Sequence, residues 1–299
     1  MTNKLTKMNS RRTFIKQAGL AAAGALILPS LASAAAPAKT VGLQLYSLRE
    51  QLPKDLRGTI AKIAQAGYKQ VETFGYSVKD NFWGMDPKNF NNLLIENGLT
   101  APSGHYGMDK FLTDGNSEEL KTYIQAANSI GSEYIVVPYL GESLRKDQDG
   151  WKKVSARLNE AGEICKAGGL KLGYHNHNFE FVKYGDVMGY DIMLKETDPK
   201  LVHFEMDLYW VVRSGNDPLK LFTAYPGRFP MWHVKDMDKA DHTINTEVGN
   251  GTIDFKAIYK HAKLAGLKRL IVEQENYSSG MDPFVSIKQS ADYIKKEIL

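Results

Sequence analysis

The sequence predicts a closed (β/α)8 barrel, and three observations carry that prediction. One glycine joint recurs between helix-like and strand-like runs. The strands are short, apolar and rich in β-branched or aromatic residues, as parallel strands buried on both faces are. About 265 residues remain once an N-terminal leader is set aside, a normal length for one such barrel. The joint reads "AGYKQVETF" from Ala66, "NGLTAPSGH" from Asn97, "IGSEYIVVPY" from Ile130, "GGLKLGYHN" from Gly168 and "AGLKRLIVEQ" from Ala265.

In each joint a glycine (Gly67, Gly98, Gly131, Gly169, Gly266) ends an amphipathic stretch by taking the left-handed conformation at little cost, and a β-type run follows. The spacings are 31, 33, 38 and 97 residues, the last equal to about three units. Two further joints, "TDPKLVHFEMDL" and "PGRFPMWHVKDM", use proline as the breaker in place of glycine. Before the joints, "PKNFNNLLIENG" puts Phe90, Leu93, Leu94 and Asn97 at helical spacing, and "SEELKTYIQAANSIG" offers Ser117 as an N-cap. With the opening "VGLQLYSL", eight strands alternate with helices. A doubly wound open sheet fits less well, because no glycine-rich phosphate loop follows the first strand.

Residues 1–34 read as an export leader: a basic start (Lys4, Lys7, Arg11, Arg12, Lys16), an Ala/Gly/Leu core, and a small-residue site at Ala32-Ser33-Ala34. The core is short and alanine-rich for a membrane span, so no membrane association is expected after cleavage. The pair Arg11-Arg12, with serine before it and Phe14 behind, resembles a twin-arginine signal, which implies a periplasmic protein exported already folded. The barrel is expected over residues 40–299. The leader carries five basic residues and no acidic one, so its removal takes the net charge from +4 to −1. That near-neutral balance argues against a nucleic-acid-binding surface. The single Cys165 excludes an internal disulfide, and in the helix-like "LNEAGEICKAGG" it reads as a buried, inert thiol.

In a barrel of this kind the chemistry sits at the C-terminal ends of the strands. The early strands end in Gln44, Tyr46, Arg49, Glu72, His105 and Tyr139. The later four are denser: "GYHNHNFEF" (His175, His177, Glu180), "HFEMDLYW" (Glu205, Asp207), "WHVKDMD" (His233, Lys235) and "VEQEN" (Glu273, Glu275). Side chains two apart share a strand face, so each pair points toward the axis in successive layers. Any one of these residues alone reads as a satisfied polar side chain. Four consecutive strands ending so would leave buried charges at a cost of several kcal/mol, which a divalent cation offsets by accepting nitrogen and oxygen ligands together.

The motifs "YHNHNFEF", "DLYWVVRSG", "HVKDMD" and "VEQE" resemble the xylose isomerase-like TIM-barrel superfamily, which includes sugar epimerases, inosose dehydratase and endonuclease IV. The likeness runs from "GLQLYSLRE" to the last helix and is strongest to the exported branch of sugar phosphate isomerase/epimerase type. It implies one divalent ion held by Asp207, His233 and Glu273. On the fifth strand His175 stands where the epimerases carry a glutamate, and His177, one layer up, is the alternative ligand. A histidine there resembles the dehydratase and lyase relatives more. Mixed nitrogen and oxygen ligands suit Mn²⁺, Co²⁺, Zn²⁺ or Fe²⁺ better than Ca²⁺.

The expected chemistry is abstraction of a proton next to the carbonyl of a sugar or keto-sugar, giving isomerisation, epimerisation or, with a β leaving group, elimination from a 3-keto-glycoside. Candidate proton carriers are His105, His177, Lys235 and Glu275. Glu72, Glu180 and Trp210 are candidate contacts to the substrate. Export and the lack of an Arg/Lys cluster point to an unphosphorylated substrate, supplied by a partner oxidoreductase. The competing readings are a non-catalytic exported sugar-binding protein and, further off, an endonuclease IV-like repair enzyme, which would need a basic groove.

Overall fold

The computed structural model describes residues 39–277 and 280–299, so the expected leader lies outside the described residues. Eight parallel strands close on themselves: β1 Val41–Gln44, β2 Gln70–Thr73, β3 Thr100–His105, β4 Tyr134–Val137, β5 Lys171–His175, β6 Val202–Asp207, β7 Met231–Val234 and β8 Arg269–Val272. The seam is made by β1 and β8, with Val41, Gly42 and Leu43 level with Leu270, Ile271 and Val272. The principal outer helices are α1 Leu56–Gln65, α2 Pro87–Glu96, α3 Glu118–Ser129, α4 Gln148–Ala167, α5 Gly189–Glu196, α6 Pro218–Ala224, α7 Phe255–Tyr259 and α8 Pro283–Glu297. No helix among the described residues is long and apolar enough to cross a membrane.

Six of these eight helices start at a capping aspartate. At α2, α6 and α8 an Asp-Pro pair supplies both parts of the signal: the side chains of Asp86, Asp217 and Asp282 accept a backbone N–H of the first turn, and proline takes an early position with no N–H to satisfy. Ser117 was expected to do the same for α3, but its side chain makes no capping bond. Asn116 Oδ1 accepts the Glu118 N–H instead, at 3.1 Å, because the amide one residue earlier reaches the orphan donor. The five joint glycines all have positive φ. At the joint before β7 the proline expectation needs correcting, since Gly227 beside Pro226 takes φ +79. At the joint before β6, Asp198 makes the turn by accepting the Lys200 N–H at 2.8 Å.

Most apolar side chains pack between the strands and the helices. A second, small cluster of Tyr134, Val136 and Met231 fills the barrel interior below the polar end. Gly173 keeps that plug tight, because a Cβ there would lie 2.8 Å from Met231 Cε. Cys165 is fully buried, and burial pushes its thiol up to about 12, the inert thiol expected of it. Gly266 (φ +81) turns against Gly227, whose Cα would lie 2.9 Å from an added Cβ. Gly266→Ala should therefore lower stability by about 2 kcal/mol in urea unfolding, from left-handed strain and a backbone clash together. Gly98→Ala, with φ +67 but open space around it, should lose only about 1 kcal/mol.

Candidate active site

Inward alternation along the last four strands delivers His175, Glu205, Asp207, His233, Lys235 and Glu273 to one end of the barrel, all nearly or fully buried. Their heights follow from the stagger between strands: Glu205 is level with His175, whereas Asp207 is level with His233. The two acids of β6 thus lie in different layers, sharing His175 through its two nitrogens but otherwise meeting different partners.

In the lower layer two carboxylates hold three imidazoles. Glu205 Oε2 lies 2.8 Å from His105 Nε2, 3.1 Å from His175 Nδ1 and 3.2 Å from His233 Nε2. Glu72 Oε2 lies 2.6 Å from His233 Nε2 and 3.1 Å from His105 Nε2, and accepts the Gln44 amide at 2.7 Å. Gln44 is itself oriented, because its Oε1 accepts the Tyr46 N–H at 3.0 Å. Burial works to raise the Glu72 carboxyl, but His105 and His233 outweigh it and hold it well below the usual range. Burial, and then the charge on Glu72, push Glu205 up to about 7. Burial pulls His105 down, yet the two glutamates lift it to about 9.

These bonds orient the rings. With Nδ1 of His175 directed to Glu205 and Nε2 of His233 directed to Glu72, the other nitrogens face the upper layer. His175 Nε2 is 3.9 Å from Asp207 Oδ2, and His233 Nδ1 is 3.2 Å from Glu273 Oε2. The donor atoms of His175, Asp207, His233 and Glu273 lie within 4.8 Å of one another. A metal ion with ligands at ~2 Å fits such a set, and two nitrogens with two oxygens suit a transition ion. The four residues expected to ligate are thus brought together, with His175 rather than His177 contributing from the fifth strand. A second group, His105, His175, Glu205 and His233, also meets the distance condition, but there a ring nitrogen of every histidine faces a carboxylate oxygen at hydrogen-bond distance, whereas in the first set His175 Nε2 stands 3.9 Å from Asp207 Oδ2. Asp207 completes the upper set: its Oδ1 accepts the Trp210 N–H at 3.2 Å, whereas its Oδ2 is buried with the Lys235 ammonium 3.1 Å away.

Above the upper layer opens a cavity of about 410 Å³, lined by His105, His175, His177, Trp210, Glu273 and Glu275 among others. Aromatic side chains form its walls, including Tyr46 and Phe74 on one side and Tyr139 on the other. His177 Nδ1 and Trp210 Nε1 are buried with no hydrogen-bond partner among the described residues, and the two rings lie 5.6 Å apart. Three sequence-predicted residues sit differently from expectation. Glu180 has no exposed surface: its carboxylate accepts the Tyr174 hydroxyl at 2.7 Å and the His177 N–H at 2.9 Å, so it shapes the loop carrying His177 rather than the cavity wall. Glu72 lies beneath the cavity, holding histidines. Lys235 is fully buried, its ammonium 3.1, 2.7 and 2.7 Å from Asp207, Glu273 and Glu275, and these acids, against the pull of burial, keep it firmly protonated. A lysine so held is a fixed cation and not a base. Glu205 and Gln44 are the residues whose roles sequence reasoning missed. Their inward phase was legible, but not the three histidines converging on one oxygen.

The family model of the xylose isomerase-like TIM barrel matches residues 60–297. The chain belongs to this family. An inosose dehydratase of Geobacillus kaustophilus is 26% identical over 273 residues, which cover 79% of this chain and 85% of that protein. A solved sugar phosphate isomerase/epimerase from Parabacteroides distasonis is 30% identical with a TM-score of 0.76, covering 87% of this chain and 99% of that one. The IOLI protein, solved with a bound zinc atom, shares the fold at 14% identity and a TM-score of 0.67, over 85% of this chain and 95% of its own. The chain is an enzyme of this family.

Because Glu205 meets three imidazoles, two of them buried and the third nearly so, Glu205→Ala should destabilise the fold by about 3 kcal/mol, as breaking buried ion pairs does. Urea unfolding measures it, and an unchanged midpoint would contradict this account of the lower layer.

Proposed function

We propose that this enzyme is a divalent-metal-dependent lyase or isomerase/epimerase that removes a proton next to the carbonyl of an unphosphorylated keto-sugar or 3-keto-glycoside. One observation carries the reading: four mixed nitrogen and oxygen donors converge beside a cavity that two of them, His175 and Glu273, line, and His177 on its wall has an Nδ1 with no hydrogen-bond partner among the described residues. The names of two relatives, an inosose dehydratase and a sugar phosphate isomerase/epimerase, support the same reaction class. Among the described residues no Lys or Arg lines the cavity, which favours a neutral sugar over a sugar phosphate.

A bound ion would act as a Lewis acid toward the carbonyl and adjacent hydroxyl, stabilising the charge that develops when the neighbouring proton leaves. His175, Asp207, His233 and Glu273 would hold it, and Glu72 and Glu205 keep the two rings turned correctly. His177 has the free nitrogen to take the proton, since His105 is tied to two glutamates and Lys235 is already protonated. Trp210 offers its indole N–H to a hydroxyl, while the aromatic walls exclude water and stack against the sugar faces. Return of the proton gives isomerisation or epimerisation. Departure of a group β to the lost proton gives elimination.

Solvent deuterium should enter the carbon next to the carbonyl of the true substrate, observed by NMR. Elimination should add the absorbance of a conjugated enone. Chelation, or Glu273→Gln, should reduce exchange at least about 100-fold, and after chelation the added ion should restore it. Full exchange in chelated protein would sink the metal reading, and sugar binding with no exchange at all would favour the non-catalytic alternative.

We also propose that the twin-arginine leader exports the chain with its site already assembled, because donors from His175 to Glu273 meet only after the barrel closes. Replacing Arg11 and Arg12 by lysine should retain folded, active protein in the cytoplasm, as fractionation would show.

A further inference from the structure

Lys235 lies two residues beyond His233 on the same inward face, with no exposed side-chain surface. Its Nζ is 3.1 Å from Asp207 Oδ2 and 2.7 Å from Glu273 Oε2. Those two oxygens are the ones turned toward His175 and His233, so the ammonium touches the oxygens that an ion on the four-donor set would use. Asp207 has no spare oxygen to offer, since its Oδ1 is the helix cap. A third acid, Glu275, holds the same ammonium at 2.7 Å and is the most exposed of the three, with 29% of its side chain open. Tyr209 and Trp210 place ring faces 5.8 and 5.6 Å from Nζ, a weak attraction for a cation on the side away from β8.

We propose that Lys235 and the divalent ion compete for Asp207 and Glu273, with Glu275 as the acceptor that draws the ammonium aside. The inference rests on the metal reading above and adds to it an internal cation that sets how tightly the ion is held. Two positive charges within reach of one oxygen repel, so the full affinity of a four-donor site is reduced by the work of displacing the lysine. The same contact gives Asp207 and Glu273 a counter-charge of the chain's own, which keeps a cluster of buried carboxylates compatible with folding. The consequence is an ion that exchanges on a usable timescale from a site assembled independently of it.

The test is titration of the full chain, stripped with a chelator, with Mn²⁺ alone, followed by calorimetry. Lys235→Met should bind Mn²⁺ at least about tenfold more tightly than the wild type, and its metal-free form should melt earlier. Glu275→Gln, on a part-exposed side chain, should fold normally and bind several-fold more weakly, because the ammonium then rests wholly on Asp207 and Glu273. In the Lys235→Met background the same Glu275→Gln change should have little effect, which separates competition from simple loss of a nearby negative charge. If Lys235→Met does not fold, unchanged affinity in Glu275→Gln overturns the proposal by itself. Equal or weaker binding in Lys235→Met, with clear binding in the wild type, overturns it while leaving the metal site standing. No binding in either protein removes both.

Discussion

Buried carboxylates that must each meet a positive partner are the constraint on which the polar end of this barrel depends. Glu72, Glu205, Asp207 and Glu273 have almost no exposed surface, and an unpaired charge in such a place would cost several kcal/mol. The chain answers with His105 and His233 below, and Lys235 above. The arrangement is a lattice in which most acids have more than one cation and most cations more than one acid. A lattice of that kind tolerates little displacement, and so the rings and carboxylates are held in place before any ligand arrives. The apolar plug of Tyr134, Val136 and Met231 beneath it supplies the rigid base.

The same lattice divides labour between two layers. Glu72 and Glu205 differ from Asp207 and Glu273 not in chemistry but in height. The lower pair faces one nitrogen of each shared imidazole, and the upper pair faces the other. Histidine is suited to such a position because its two nitrogens are distinct, and a hydrogen bond at one determines what the other presents. The catalytic prospects of the site therefore rest on residues that touch no substrate. Glu180 is a parallel case. It sits in the motif nearest the cavity, yet its part is to fix Tyr174 and the backbone of His177.

Much of this was readable beforehand, and for a definite reason. Glycine at the left-handed end of a helix is a local requirement, so the joints at Gly67, Gly98, Gly131, Gly169 and Gly266 show in the sequence itself. The phase of a strand is equally local, and it marked His175, Asp207, His233 and Glu273 as inward-facing. Cap choice was less legible, because Asn116 and Ser117 are both competent acceptors and backbone geometry selects between them. The lower-layer role of Glu205 was hidden entirely: on a period of two it is indistinguishable from Asp207.

By itself, then, the sequence determined the fold class, the number and order of strands, and which side chains enter the barrel, since all of these follow from propensities and periods over a few residues. Only the tertiary structure decided which of them meet. That outcome depends on the stagger between neighbouring strands, which sets His175 level with Glu205 and His233 level with Asp207, and on closure between β1 and β8. Closure brings Glu72, from the second strand, to within 2.6 Å of His233 on the seventh, a contact across 161 residues. Stagger and closure are properties of the whole sheet, determined by how eight strands tilt to complete a cylinder, and no short stretch of the chain encodes them.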